Sequence, residues 1–285
     1  MHITLLQVFL LLFTAAFQLT AVECLRELVY VQAIWRHGDR APTKYPYPND
    51  KYTEQYWPRG WGHLTSTGMK QLYRLGHFFR QRYGNYIGSR YNVSEVRSSV
   101  MATSVDRATE SAQAMLRGLF PMWQPVPFHS TTPGEPDPVS SDHNAKVGLA
   151  EVLRIHNLLH NMTQPDWLYK KWPNHNYDTT YEIVQKIKLR SRLNQFNSPT
   201  KAMLRGGLLA GHFLQRALNV SKGVRLSPSK MMLYSSHDVT IQPLLHALGI
   251  NNDLLVPYAG CLIMEVYKTW AGKFEVEVCY HKLTF

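Results

Sequence analysis

The sequence predicts an α/β fold, in which a doubly wound, mostly parallel sheet carries helices on both faces. Segments with the composition of buried strands alternate along the chain with segments whose apolar residues recur at helical spacing. Two polar motifs each follow a segment with the composition of a buried strand: Arg36-His37-Gly38-Asp39-Arg40 and His237-Asp238. Because such sheets bind ligands beyond the carboxyl ends of their strands, both motifs are expected at one binding edge.

The amino-terminal half of the sheet begins with a strand expected at residues 28–35, where LVYVQAIW is rich in β-branched and aromatic side chains. A helix is expected after the capping stretch Thr65-Ser66-Thr67. Its apolar residues recur at helical spacing: Met69, Leu72, Leu75, Phe79 and Tyr83.

The next helix is expected to be capped by Thr103 or Ser104 and to end at Pro121. Arg107 would lie in its first turn. Helical spacing returns over residues 201–218.

The carboxyl-terminal part opens with a short buried strand expected at 231–234, followed by a helix from Val239 that Gly249 closes. Residues 262–267 and 274–280 alternate in polarity around a turn, which predicts a terminal hairpin.

The domain organisation is expected to be simple. Residues 1–21 contain no Lys, Arg, Asp or Glu and hold an apolar run, which is typical of a secretory signal peptide; an uncleaved signal anchor is the alternative. Residues 22–285 are expected to form one domain with a mostly helical insert at about 139–198. A secreted or lysosomal glycoprotein without a membrane anchor is predicted, since three sequons accompany the leader, at Asn92, Asn161 and Asn219.

The formal net charge of +11 is compatible with nucleic acid, an anionic surface or phosphorylated substrates as the partner. The densest basic stretch, Lys186 to Arg192, lies in a segment with helical spacing and is interpreted as a solvated helix face. Nucleic acid is not expected as a partner, because the sequence has no motif for binding it.

The motif around His37 combines a base with permanent cations. Like charge disfavours the protonated imidazole, so His37 would stay a neutral nucleophile or base in mildly acidic conditions. The guanidinium groups of Arg36 and Arg40 suit phosphate oxygens. The alternative is a basic surface loop after a strand.

His237-Asp238 is a weaker motif by itself, because Asp238 is also a common type of helix cap. A carboxylic acid can protonate a leaving alkoxide, and a second histidine can donate to a transferring phosphoryl group. The two motifs together therefore predict a site for phosphoryl transfer.

Longer stretches resemble the histidine acid phosphatase family, of the lysosomal and prostatic type, within the histidine phosphatase superfamily. "RHGDRAP" and the distant "SSHDVTIQPLLHALG" carry the resemblance, and "WGHLTSTGMKQLYRLGHFFRQRY" agrees with it. The resemblance implies an acid phosphatase that hydrolyses phosphomonoesters through a phosphohistidine intermediate without cofactor or metal. It also implies the roles of five residues: His37 as nucleophile, Asp238 as proton donor, and Arg36, Arg40 and His237 as phosphate ligands.

A third arginine of the family pattern is ambiguous here. In "VRSSVMATSVDRATES" either Arg97 or Arg107 could match this arginine, as if a few residues were inserted into the family pattern between them. Arg107 is the preferred phosphate ligand because a helix follows it, and Arg97 is the alternative.

The sequence departs from the family in two other places. The segment at about 138–151 is shorter than the helical insert of relatives, so a reduced insert is expected, and relatives continue beyond Phe285. Cys261 matches a family cysteine, and a bridge to Cys279 across the terminal hairpin is one option.

Two other functions compete with the enzyme. One is a non-catalytic secreted relative with a truncated cap that binds phosphate or a phospholigand, and the other is a polyanion-binding protein. The expected partners are phosphomonoester small molecules or phosphorylated proteins, and the resemblance is compatible with a homodimer. His156 and His160 have the spacing of metal ligands, but without a third ligand nearby they are interpreted as ordinary insert residues.

Overall fold

The fold is given by a computed structural model, which describes residues 26–43, 45, 47–100, 106–121, 125–130, 153–155 and 160–282. The predicted signal peptide, both capping candidates before Arg107, His156 and most of the shortened segment lie outside these residues.

A six-stranded sheet with the order β3-β2-β6-β1-β7-β8 forms the centre of the molecule. Four neighbouring strands, β3, β2, β6 and β1, are parallel; β7 pairs antiparallel with β1, and β8 pairs antiparallel with β7. The strands are β1 Arg26–Arg36, β2 Val96–Val100, β3 Phe128–Ser130, β6 Met231–Ser236, β7 Cys261–Thr269 and β8 Phe274–His281. The predicted doubly wound, mostly parallel sheet and its terminal hairpin are confirmed.

Helices cover both faces of this sheet. One apolar core joins the sheet to α1 and α2, and a second core on the opposite face joins it to α4 and α5. The five described α-helices are α1 Ser66–Ile87, α2 Asp106–Leu119, α3 Thr180–Leu193, α4 Pro199–Ser221 and α5 Asp238–Ala247. The predicted cap of α1 is present, since the hydroxyl of Thr65 accepts a hydrogen bond from the backbone N–H of Gly68.

The backbones of α1 and α2 approach closely because glycines lie at the crossing. A Cβ on Gly76 would collide with the carbonyl oxygen of Met115, and a Cβ on Gly118 with that of Tyr73. The separation of these two helices is therefore set by main-chain atoms.

The described part of the insert contains a short ribbon beside its helices. Between the short 3-10 helices Asp166–Leu168 and Pro173–His175 lies β4 (Lys171–Trp172), and β4 pairs with β5 (Asp178–Thr179) as an antiparallel ribbon. Asn176 and Tyr177, in the turn between the two strands, adopt positive φ, and this conformation ends the 3-10 helix Pro173–His175. After the ribbon, α3 is a regular helix, and a capping box formed by Thr179 and Glu182 starts it.

The bridge between Cys261 and Cys279 is not formed, since both thiols are free. The hairpin register places Cys261 opposite His281 and Cys279 opposite Ile263, so the two cysteines are not direct partners. None of the helices in the described residues is long and apolar enough to cross a membrane.

Candidate active site

Parallel pairing of β1 and β6 brings the two motifs together. Arg36 is the register partner of Ser236, the last residue of β6, and the backbone N–H of His37 donates to the Ser236 carbonyl at 2.9 Å. His237 and Asp238 follow at once, with His237 at the N-cap position of α5. Both motifs therefore leave the sheet at the same edge, as predicted.

The loop after β1 lies directly on the first turn of α1. A Cβ on Gly38 would stand 2.7 Å from the Cα of Gly68, so neither position has room for a side chain. The backbone N–H of Asp39 donates to the amide oxygen of Gln71 at 2.7 Å, and Ser111 of α2 accepts from the N–H of Gly38 at 3.1 Å. The loop is thus held by α1 and α2.

His37 is buried and its tautomer is defined. Its Nδ1 lies 2.7 Å from the carbonyl oxygen of Gly38, which only accepts hydrogen bonds, so Nδ1 carries the proton and Nε2 keeps its lone pair. Burial first, then the nearby His237 and the cations Arg36, Arg107 and Arg40, hold the pKa of His37 well below its ordinary value of 6.5. This imidazole is neutral in mildly acidic solution.

Arginines surround His37. Arg36 and Arg40 are each 3% exposed. The Nη1 of Arg36 donates a hydrogen bond to the Val256 carbonyl at 2.8 Å, and the Nη1 of Arg40 donates one to the Ala41 carbonyl at 2.9 Å. Burial and the charge of Arg40 lower the pKa of Arg107 to about 10. Within the described residues, the buried Nε atoms of Arg40 and Arg107 have no hydrogen-bond acceptor. The site therefore concentrates positive charge with N–H donors still to be satisfied.

The alternative third arginine lies elsewhere. Arg97 is part of β2 and its charge acts on Tyr91, whereas the charge of Arg107 acts on His37 and His237. Of the two candidates, the structure brings Arg107 to the other motif residues.

His237 and Asp238 face His37 from the end of the neighbouring strand, β6. The ring centroids of the two histidines are 5.2 Å apart in an edge-to-face arrangement. Burial and the charge of Arg107 lower the pKa of His237 from 6.5 to about 3, although Asp238 opposes the change. Asp238 is the first residue of α5, with Oδ1 3.9 Å from the Nε of Arg36.

Three further side chains at the site were not predicted. Tyr258 stacks its ring under the Arg36 guanidinium, 4.1 Å from the ring centroid, and lies 5.5 Å from the His37 ring. His160 contacts Asp39, and Arg192 contacts Asp238. Both His160 and Arg192 belong to the insert, and the interpretation of the Lys186 to Arg192 stretch as a solvated helix face did not foresee the contact of Arg192 with Asp238. A Tyr outside any motif and basic residues within the insert give no sequence signal.

No group of three or more metal-ligating side chains occurs among the described residues. The donors around His37 are N–H groups and cations, which suit an anion and repel a metal ion.

Comparison with known proteins identifies the family. The model of the histidine phosphatase superfamily, branch 2, matches residues 27–200 and 168–281. The chain belongs to this superfamily. Human lysosomal acid phosphatase is 31% identical in an alignment of 310 positions that covers 90% of this chain and 71% of that protein. Rat prostatic acid phosphatase is 30% identical over 309 residues, covering 91% and 80%.

The fold of this histidine phosphatase is shared with solved structures. The apo form of Hafnia alvei phytase superimposes with a TM-score of 0.63 at 20% identity, covering 89% of this chain and 84% of that one. The predictions of family, fold class and enzyme class are confirmed, and the family favours a phosphatase over a non-catalytic relative.

Proposed function

We propose that this protein is an acid phosphatase that hydrolyses phosphomonoesters through a phosphohistidine intermediate. The observation that carries the proposal is the state of His37: a buried neutral imidazole, with Nδ1–H bound to the Gly38 carbonyl, among three arginines. A lone pair on Nε2 among cations is what attack on a phosphate dianion requires.

The cations would bind and activate the phosphoryl group. Arg36, Arg40 and Arg107 would neutralise the dianion and stabilise the charge that develops on its oxygens in the transition state. His237 would be a fourth ligand to the same group. Because Arg36, Arg40 and His237 are buried, their geometry is fixed before substrate arrives, and their charges act in a medium that screens little.

The reaction would take two steps. The Nε2 of His37 attacks phosphorus, the bond from phosphorus to the ester oxygen breaks, and Asp238 gives its proton to that oxygen so that a neutral alcohol leaves. Water then attacks the phosphohistidine, the carboxylate of Asp238 takes a proton from it, and the P–N bond breaks to release inorganic phosphate. His37 and Asp238 return to their starting states.

Acidic conditions suit both groups. The lowered pKa keeps His37 neutral when the pH falls, whereas a general acid such as Asp238 must carry its proton when the ester bond breaks.

Turnover of p-nitrophenyl phosphate at acidic pH tests the activity, and His37→Ala tests the intermediate. Wild type should release nitrophenol and, after acid quench with a radiolabelled phosphomonoester, retain label on the protein. His37→Ala should lose both while still binding inorganic phosphate at its arginines. Phosphate binding without turnover by the wild type would instead indicate the non-catalytic relative.

Passage through the secretory pathway is a further proposal. It rests on the leader at residues 1–21, on the three sequons and on relatives that are lysosomal and prostatic proteins. The side chains of Asn92 and Asn161 are exposed, as glycosylation requires. A mass decrease after glycosidase treatment of the protein from a eukaryotic host would support it. A homodimer, protein substrates and glycosylation of Asn219 remain predictions.

A further inference from the structure

One arginine of the insert differs from its basic neighbours. Lys186, at the start of the basic stretch on α3, has 63% of its side chain exposed and pairs with Asp178 within the insert. Arg192, at the end of the stretch, has only 15% exposed, and its Nη2 lies 3.5 Å from the Oδ2 of Asp238. The insert therefore brings a fourth arginine to the proposed phosphatase site.

The two oxygens of Asp238 face different arginines. Oδ1 lies toward Arg36, one of the proposed phosphate ligands, and Oδ2 lies toward Arg192. As the proton donor, Asp238 must contact the ester oxygen, which joins the phosphoryl group to the leaving group. A phosphoryl group bound by Arg36 near Oδ1 would place the leaving group toward Oδ2, and therefore toward Arg192.

The charge of Arg192 changes partner during the reaction. An ionised Asp238 offsets this guanidinium before substrate binds, but a protonated Asp238, the form that acts as an acid, does not. A cation that is largely shielded from water is then stabilised by another anion within reach. The substrate can supply one if its leaving group carries a negative charge close to the ester oxygen.

We propose that Arg192 is a specificity-determining residue that binds a carboxylate on the leaving group, so that phosphomonoesters of hydroxycarboxylates are preferred substrates. The planar guanidinium matches a carboxylate with two parallel hydrogen bonds. This inference rests on the proposed phosphatase function and adds the substrate class.

Two substrates of the same skeleton test the proposal. In 2-phosphoglycerate a carboxylate occupies the position that a hydroxymethyl group has in glycerol 2-phosphate. Wild type should have the higher kcat/KM on 2-phosphoglycerate. Arg192→Gln should lower kcat/KM on 2-phosphoglycerate by roughly 10- to 100-fold, the range of one charge-assisted hydrogen bond, mainly through KM. Its kcat/KM on glycerol 2-phosphate should fall by a smaller factor, and cooperative urea unfolding like that of wild type would show that the variant folds.

Two further variants serve as controls. Arg190→Gln removes an exposed cation of the same helix and should leave the preference unchanged. Arg192→Lys keeps the charge without the planar pair of donors and should restore part of the preference.

Equal losses on both substrates in Arg192→Gln would mean that Arg192 only positions Asp238, and this would overturn the inference. An unchanged preference, or no preference in the wild type, would overturn it as well. Failure of the wild type to hydrolyse p-nitrophenyl phosphate would refute the phosphatase function itself, whereas turnover of p-nitrophenyl phosphate without turnover of 2-phosphoglycerate would overturn this inference alone.

Discussion

The imidazole of His160 lies with its Nε2 2.8 Å from the Oδ2 of Asp39 and thereby joins the insert to the loop that carries His37. Asp39 is fully buried, and the hydroxyl of Thr65 donates to the same carboxylate oxygen. The loop is thus held by α1 on one side and by the insert on the other.

Removal of this contact should loosen the loop. His160→Ala leaves a buried carboxylate with one donor fewer, so we expect the free energy of unfolding to fall by about 1–3 kcal/mol and kcat to fall with it. Urea unfolding and turnover of p-nitrophenyl phosphate measure the two effects. His160→Gln keeps a donor and should recover part of the loss, and His175→Ala, at an exposed histidine of the insert, is the matched control. Identical behaviour of His160→Ala and His175→Ala would show that the contact does not support the loop.

The two candidate arginines should differ strongly in their contribution to activity. Arg107→Ala removes a cation that acts on both histidines of the site, and we expect kcat/KM to fall by about 10²-fold or more. Arg97→Ala changes a residue of β2 that acts on Tyr91, and should cost little. Steady-state kinetics and inorganic phosphate inhibition measure both variants. The reverse ranking would show that Arg97 is the functional residue.

The leaving group should decide how much Asp238→Asn costs. Asparagine keeps the shape but does not supply an acidic proton, so an alkyl phosphate, whose alkoxide leaves poorly, should react roughly 10²- to 10⁴-fold more slowly. The much more acidic phenol of p-nitrophenyl phosphate needs less help, and this substrate should slow far less. Single-turnover measurement of phosphoenzyme formation isolates the step. The same loss on both substrates would indicate that Asp238 only positions groups or caps α5.

Stability should depend on pH through the two buried histidines. In the unfolded chain each takes up a proton near its ordinary pKa of 6.5, whereas in the folded protein the pKa of His237 is about 3 and that of His37 is also far below 6.5. Between these values the unfolded state binds more protons, so the free energy of unfolding decreases as the pH falls, by up to about 1.4 kcal/mol per pH unit for each histidine.

Urea unfolding at several pH values from 6.5 down toward 3, in buffer without phosphate, measures this dependence. The double variant His37→Gln, His237→Gln should show a smaller slope than wild type over that window. Equal slopes would mean that both histidines are protonated in the folded protein.

Much of the fold was predictable because local patterns and tertiary structure agree. The structure contains the strands that the apolar runs of β1 and β6 predict, the helix that the capping residues of α1 predict, and the hairpin that the alternating polarity near the carboxyl terminus predicts. The edge where both motifs meet followed from parallel pairing alone. The short ribbon in the insert was missed because two-residue strands have no periodicity.

The parts of the site that come from outside the motifs could not be predicted. His160 and Arg192 belong to the insert, and their distance from Asp39 and Asp238 along the chain is 121 and 46 residues. A composition rich in cations is equally typical of a solvated surface, so only the packing of the insert distinguishes Arg192 from Lys186. Tyr258 likewise becomes recognisable only through the arginine above its ring.

The glycine contacts have a consequence for the distance between His37 and Arg107. The loop after β1 rests on α1 at Gly68, α1 rests on α2 at Gly76 and Gly118, and α2 carries Arg107 in its first turn. Each of these glycine contacts is between main-chain atoms, which cannot move aside as the end of a long side chain can. α1 therefore acts as a spacer of fixed thickness. The distance between His37 and Arg107, and with it the space for a phosphoryl group, depends in part on glycines that do not contact that group.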